Sequence, residues 1–376
     1  MSPTYSPEPS VLTTRGDNIV ANLRAIREHV GGRQVLVAVK ADAYGHGAIE
    51  VSRLLERTGA ADWLGVATVE EGVRLRQAGI GLPILKLSMA RGDEVAGAVA
   101  ADLSLVVVDA DSIAEASAEA SAQGKTVSVH LKVDTGMRRI GCPPEQAVAL
   151  ARQASAAPGL KLVGLMSHLP ISDVPEGEQF TRDQIALFAR VAADVEAAVG
   201  PLIKHLAASG GILAYPDAWF DLVRPGIIAY GDYPDPAAPK TVPLLPTLEW
   251  RSSLVFVKPI AAGETVGYGR TWTAPRDTWI GTVPVGYADG YSRRFSNNAR
   301  MLVNGRSCEV AGRICMDQVM VDLGPDATDQ VGDVVTIIGR DGDEEITVAE
   351  LAERMGTIPY ELTCLITPRV GRAFVS

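Results

Sequence analysis

The sequence predicts a (β/α)8 barrel of the TIM type over residues 1–236, followed by a mainly β-strand domain over 237–376. Three observations predict it. Eight short apolar runs, with polar residues at or just past their C-terminal ends, alternate with Ala- or Leu-rich helical stretches, the pattern of parallel strands joined by crossover helices. Between Asp232 and Pro246 the chain is rich in Pro and Asp, and past Thr247 β-branched runs alternate with turn pairs such as Asn304-Gly305, Gly332-Asp333 and Asp341-Gly-Asp343. A chain of 376 residues is also too long for one ordinary domain.

Taken in order, Met1 to Ser10 has neither a basic n-region nor an apolar h-region and reads as a disordered lead-in, not a signal peptide. Ile19, Leu23, Ile26 and Val30 recur at helical spacing from Asn18 and stop at Gly31-Gly32. The first strand, Val35 to Val39, runs into Lys40 and a loop closed by Gly45 and Gly47. Strands follow at Trp63 to Thr68, Pro83 to Ser88, Leu103 to Asp109, Val127 to Val133, Leu162 to His168, Ile203 to Ala208 and Asp221 to Ile228. A doubly wound open sheet is the alternative, but it would want a glycine-rich phosphate loop after its first strand, and the chain has no such motif. In the second domain a short helix is expected at about Val348 to Met355.

The polar strand ends carry the functional signal. Lys40, Thr68, Ser88, Asp109, Lys132 with Asp134, His168, Ser209 and Arg224 all fall at the C-terminal face, where barrels of this kind hold their sites. On strand parity Leu36, Ala38 and Lys40 share one face and Val35, Val37 and Val39 the other, and Ser128, His130 and Lys132 form a polar row toward the lumen. A lysine at a barrel mouth can serve as ion-pair partner, general base or Schiff-base nucleophile. The net charge of −10 gives no basic patch for nucleic acid or anionic lipid, and no apolar run is long enough to span a bilayer, so a cytoplasmic protein is expected. Cys142, Cys308, Cys315 and Cys364 are scattered and read as reduced thiols. The five histidines fall on separate elements without ligand spacing, which argues against a metal.

Several motifs stand in a telling order: Val39-Lys-Ala-Asp-Ala-Tyr-Gly-His-Gly47, Lys132-Val-Asp-Thr-Gly-Met-Arg-Arg139, Met166-Ser-His168, Arg224-Pro-Gly-Ile227, Gly267-Tyr268-Gly, Val285-Gly-Tyr287-Ala-Asp-Gly290 and Cys315-Met316-Asp-Gln. Together they resemble the alanine racemases, pyridoxal 5'-phosphate enzymes on a (β/α)8 barrel, and the resemblance runs from about Ile19 to Tyr360. It implies that Lys40 carries the cofactor and that Tyr44, Ser209, Gly226, Ile227 and Tyr360 contact its phosphate. The family usually has Asn where Ala208 stands, which puts one hydrogen bond there in doubt.

The resemblance further implies a two-base mechanism, with Lys40 on one face of the substrate α-carbon and Tyr268 on the other. An unperturbed tyrosine is about 0.1 % ionised at neutral pH. A relay through His168 and Arg224 would activate it. Arg224, facing the pyridine nitrogen as a permanent cation, would keep that nitrogen unprotonated and favour return of the proton to the α-carbon over transamination. Arg139 and the backbone of Met316 would bind the substrate carboxylate, and Tyr287 with Tyr360 would form a narrow throat. Lys132 matches a lysine that is carbamylated in many relatives, which would let it hold Arg139, although Asp134 could do the same unmodified. Arg138, where the family usually has glycine, is unexplained.

The implied function is interconversion of L- and D-alanine for peptidoglycan by a head-to-tail homodimer with shared active sites. A racemase preferring serine or a broader set of amino acids is the alternative. A cofactor carrier of the same barrel type would lack the β domain, and a decarboxylase usually places a carboxylate where Arg224 stands.

Overall fold

Eight parallel strands stand where the apolar runs were expected: Gln34–Ala38, Trp63–Val66, Ile84–Lys86, Leu105–Val107, Val127–Lys132, Leu160–Met166, Ile203–His205 and Leu222–Val223. This computed structural model describes residues 9–376. The strands form two four-stranded parallel sheets, and parallel bridges Leu85↔Ser104 and Ala208↔Arg224 join the sheets at both edges and close the barrel. Closure leaves every strand covered on two faces, which is why most of the runs are largely apolar, with the row Ser128, His130 and Lys132 as an exception. Leu36, Leu85, Val106, Met166 and Leu222 meet in one buried cluster, while the alternate residues Val35 and Val37 are equally buried.

The strand-end residues do not all serve one purpose. Thr68 and Asp109 are N-caps, accepting the backbone N–H groups of Glu71 and Ser112 at the starts of the next helices. Ser88 donates to Ala67 O at 2.7 Å and laces two loops together.

The two compact units are Asn18–Leu245 and residues 9–17 with Pro246–Ser376, in place of a division at 236/237. Two sets of bonds explain the shift. The Pro- and Asp-rich segment is tied to the barrel unit, since Asn22 Nδ2 donates to Leu245 O at 2.9 Å and Leu245 N to Asn22 Oδ1 at 2.8 Å. The chain start, in turn, belongs to the β unit: Ser10–Arg15 is a strand, antiparallel to Leu248–Ser253 and parallel to Gly371–Val375. The first eight residues of the expected lead-in over Met1 to Ser10 lie outside the described residues, and Ser10 itself opens this strand.

The β unit is built on a mixed sheet in the order Arg306–Glu309, Arg300–Val303, Val334–Asp341, Leu248–Ser253, Ser10–Arg15 and Gly371–Val375. At Asn304-Gly305 both turn residues have positive φ (50° and 73°), as a two-residue hairpin between Val303 and Arg306 requires. The helix Val348–Met355 is present as expected, and a second, Pro359–Leu365, carries Tyr360.

Candidate active site

Lys40 stands two residues past the end of its strand, at the start of a turn with unusual backbone geometry. Ala41, Asp42, Ala43 and Tyr44 all have φ between 51° and 56°, a full left-handed helical turn made without glycine. Such residues cost roughly 1–2 kcal/mol each. Local bonds offset this: Ala43 N donates to Val39 O, Gly47 N to Asp42 O, and Ala48 N to Asp42 Oδ1 at 2.8 Å. The turn buries Tyr44, whose ring lies 5.1 Å from that of Tyr230, and the Tyr230 hydroxyl donates to Ala38 O at 2.9 Å. Lys40 Nζ is thereby set 6.0 Å from the centre of the Tyr44 ring.

The Tyr44 hydroxyl faces a hollow kept open by glycine. A Cβ at Gly226 would lie 2.8 Å from Tyr44 Oη and 3.7 Å from Ser209 Oγ, and Gly226 N donates to Ser209 Oγ at 3.1 Å. Ser209 and Ile227 are buried beside it. Ala208 leaves the helix Ser209–Ala214 without a side-chain cap, which is the bond an Asn there could supply. Hydroxyl groups converging on a space that a methyl group would fill suit a phosphate.

Arg224 is buried at the closing edge of the barrel. Its Nη2 donates to Ser167 O at 2.7 Å and Leu206 O at 2.9 Å, and lies 3.4 Å from His168 Nδ1; its Nη1 lies 2.9 Å from His205 Nδ1. The expected pairing with His168 is present. Asp221, at the start of the same segment, is bound to Lys204 at 2.9 Å and is not among these partners. Burial pushes the guanidinium down to about 10, so it remains a cation at neutral pH. His168 is held well below its usual value by burial and by Arg224, Lys132, Arg139 and Lys40, so its ring is neutral.

Lys132, also buried, is pushed down to about 8 by desolvation and by the charges of Arg224, Arg139 and Lys40, against one opposing carboxylate, Asp134. Four cations thus share the mouth, a field that favours an anionic ligand carrying phosphate and carboxylate groups. Asp134 Oδ1 accepts from Gly136 N at 2.8 Å and Arg138 N at 3.1 Å, which shapes the loop that presents Arg139. Arg138 itself is exposed and sits at φ 56°. That conformation accounts for glycine as the usual residue there.

The remaining predicted residues lie in the β unit. Tyr268 is 72 % exposed on a short turn. Tyr287 and Met316 are brought together, since Tyr287 N donates to Cys315 O and Ala288 N to Met316 O at 3.0 Å. Arg369 spans their loops, 3.3 Å from Asp289 and 2.8 Å from Asp317. Sequence reasoning missed His205 as an Arg224 partner. Its parity with Ile203, which packs against the barrel cluster, was the available signal.

Two family models match the chain, alanine racemase N-terminal domain over residues 15–234 and alanine racemase C-terminal domain over residues 247–374. The chain belongs to the alanine racemase family. A relative named alanine racemase from Cutibacterium acnes is 49 % identical over 370 residues, covering 98 % of both chains. The solved alanine racemase of Clostridium difficile superposes with a TM-score of 0.92 at 34 % identity, covering 99 % of this chain and 97 % of that one. A third, from Bartonella henselae, described with covalently bound pyridoxal phosphate, gives a TM-score of 0.87 at 27 % identity over 98 % of this chain and all of that one. The activity is that of an alanine racemase, an isomerase interconverting L- and D-alanine, and these names do not favour a serine preference. Among the described residues, no helix is long and apolar enough to cross a membrane, no cluster of ligands fits a metal, and all four cysteines are thiols.

Proposed function

We propose that Lys40 binds pyridoxal phosphate covalently, and that Lys40 and Tyr268 exchange the substrate α-proton from opposite faces. The observation that carries this is the left-handed turn, which sets Lys40 beside a glycine-opened hollow lined by Tyr44, Ser209, Gly226 and Ile227. When bound, the cofactor acidifies the α-C–H bond of the amino acid joined to it. The chain supplies the rest. Tyr44, Ser209, Gly226, the N–H of Ile227 and Tyr360 hold the phosphate. Arg224 stays cationic and keeps the ring nitrogen unprotonated, which steers the proton back to the α-carbon. Arg139 and the Met316 N–H bind the substrate carboxylate, and Tyr287 with Tyr360 limits side-chain size.

His168 accepts from Arg224 at Nδ1 and therefore carries its proton on Nε2, where it can donate toward Tyr268 and stabilise the phenolate that acts as base. Lys132, partly unprotonated at neutral pH, reacts with CO2, and the resulting anion holds Arg139. Tyr268, Met316 and Tyr287, at 72, 52 and 41 % exposed, are large side chains left outside the core of their own unit. They support a head-to-tail homodimer in which the β unit of one chain completes the site of the other. The D-alanine produced supplies peptidoglycan from the cytoplasm.

Borohydride reduction and peptide mapping should place a pyridoxyl group on Lys40, and finding it on Lys132 overturns the assignment. Mixing inactive Lys40→Ala and Tyr268→Ala chains should restore activity in heterodimers. Subunit exchange seen by mass without activity rejects the shared site.

A further inference from the structure

Glu71 stands outside the residues assigned so far, on the helix Val69–Gln77, and its two carboxylate oxygens do different work. Oε2 accepts the N–H groups of Ala67 at 2.7 Å and Thr68 at 3.1 Å, the reciprocal half of a capping box in which Thr68 Oγ1 accepts Glu71 N at 3.2 Å. Capping explains Oε2 alone. Oε1 accepts the N–H of Ala41 at 2.7 Å, thirty residues upstream and on a different barrel loop. Ala41 is the first residue of the left-handed turn and directly follows Lys40, and both Ala41 and Asp42 are exposed, so no core packing fixes the turn at its entrance. The far end of the turn is fixed separately, through Asp42 and Ala48. One carboxylate therefore ties the peptide after Lys40 to the cap of the neighbouring helix.

We infer that Glu71 is a positioning residue for Lys40: it holds the start of the left-handed turn and so sets the direction in which the lysine amine meets the cofactor. This rests on the reading that Lys40 binds pyridoxal phosphate. A merely structural cap would show the same behaviour when either half of the capping box is removed, and the other half, Thr68, has no bond to the turn. Glu71→Gln keeps the volume, but its amide nitrogen is a donor and cannot accept from one of the two loops.

The test compares Glu71→Gln with Thr68→Ala and wild type by residue-resolved hydrogen exchange of the Ala41 amide in the cofactor-free chain, and by equilibrium binding of pyridoxal phosphate read from visible absorbance. Thr68→Ala should lower the unfolding midpoint while changing both readouts less than twofold. Glu71→Gln should speed Ala41 exchange and weaken cofactor binding at least tenfold each. If either readout in Glu71→Gln stays at the Thr68→Ala level, the inference is overturned. Should Glu71→Gln fail to fold, Glu71→Asp, one methylene too short to span both loops, is scored in its place. A wild-type chain that binds no cofactor at Lys40 rejects the underlying reading, while the Ala41 exchange still judges the strap.

Discussion

Arg224 Nη1 donates to His205 Nδ1 across 2.9 Å, and this bond sets the protons of a second histidine. Arginine has no acceptor, so His205 must carry its proton on Nε2, which lies 2.9 Å from His130 Nδ1. His130 in turn keeps its proton on Nε2, with its ring edge-on to Trp63 at 88° and 5.4 Å. Both rings are fully buried beside a cation and must stay neutral.

That requirement makes the barrel sensitive to acid. Burial and Arg224 push His130 down to about 3 and His205 well below its usual value. Because the folded values lie below the unfolded value near 6.5, the unfolded chain binds more protons between them, so stability is intact above pH 6.5 and falls as pH drops. The unfolding free energy from urea titrations should decline below pH 6.5, each buried histidine adding up to about 1.4 kcal/mol per pH unit. His130→Asn should flatten that slope by about one histidine, and an unchanged slope would sink the account.

Gly164 makes room for His130. A Cβ there would lie 2.1 Å from His130 Nδ1 inside a packed barrel. Gly164→Ala should therefore destabilise by about 1–3 kcal/mol. In a His130→Ala background the same change should cost little, and an additive double-mutant cycle would show that the two sites do not meet.

Lys132 should take up CO2 at neutral pH. With its amine lowered to about 8, about a tenth is unprotonated at pH 7, against a few parts in ten thousand for an ordinary lysine. Labelled bicarbonate should give a carbamate carbon signal that Lys132→Met abolishes and that fades as pH falls below 7. A signal that persists in Lys132→Met assigns the adduct elsewhere.

Arg138→Gly should stabilise the chain. Arg138 sits at φ 56°, is exposed, and its backbone N–H already serves Asp134, so only the strain is lost. A gain of about 1 kcal/mol in unfolding free energy is expected. A loss would mean that the Arg138 side chain makes contacts that matter.

The barrel strands were legible because parallel strands covered on both faces are mostly apolar, and that signature is local. The strand Ser10–Arg15 was not, since Val-Leu-Thr-Thr does not alternate in the sequence and its alternating burial comes only from partners more than two hundred residues away, at Leu248–Ser253 and Gly371–Val375. His205 stood within an expected strand, and its parity with Ile203 marks an inward face but not a bond from Arg224, which comes from the neighbouring strand. Glu71 was half legible, because Thr68-Val-Glu-Glu71 is a readable capping box whose second oxygen has a tertiary partner.

By itself, then, the sequence determined the alternation of strands and helices, the change to β structure after the barrel, and the order of chemistry-bearing residues at the strand ends. Those follow from apolar periodicity and turn chemistry within a few residues. Tertiary structure alone decided the left-handed course of Ala41 to Tyr44, the tautomers of His205 and His130, and the assignment of the first strand to the β unit. Alanine, aspartate and tyrosine have no intrinsic preference for a left-handed turn. They adopt it because bonds within residues 39–48, together with the tie from Ala41 N to the distant Glu71 carboxylate, offset its cost.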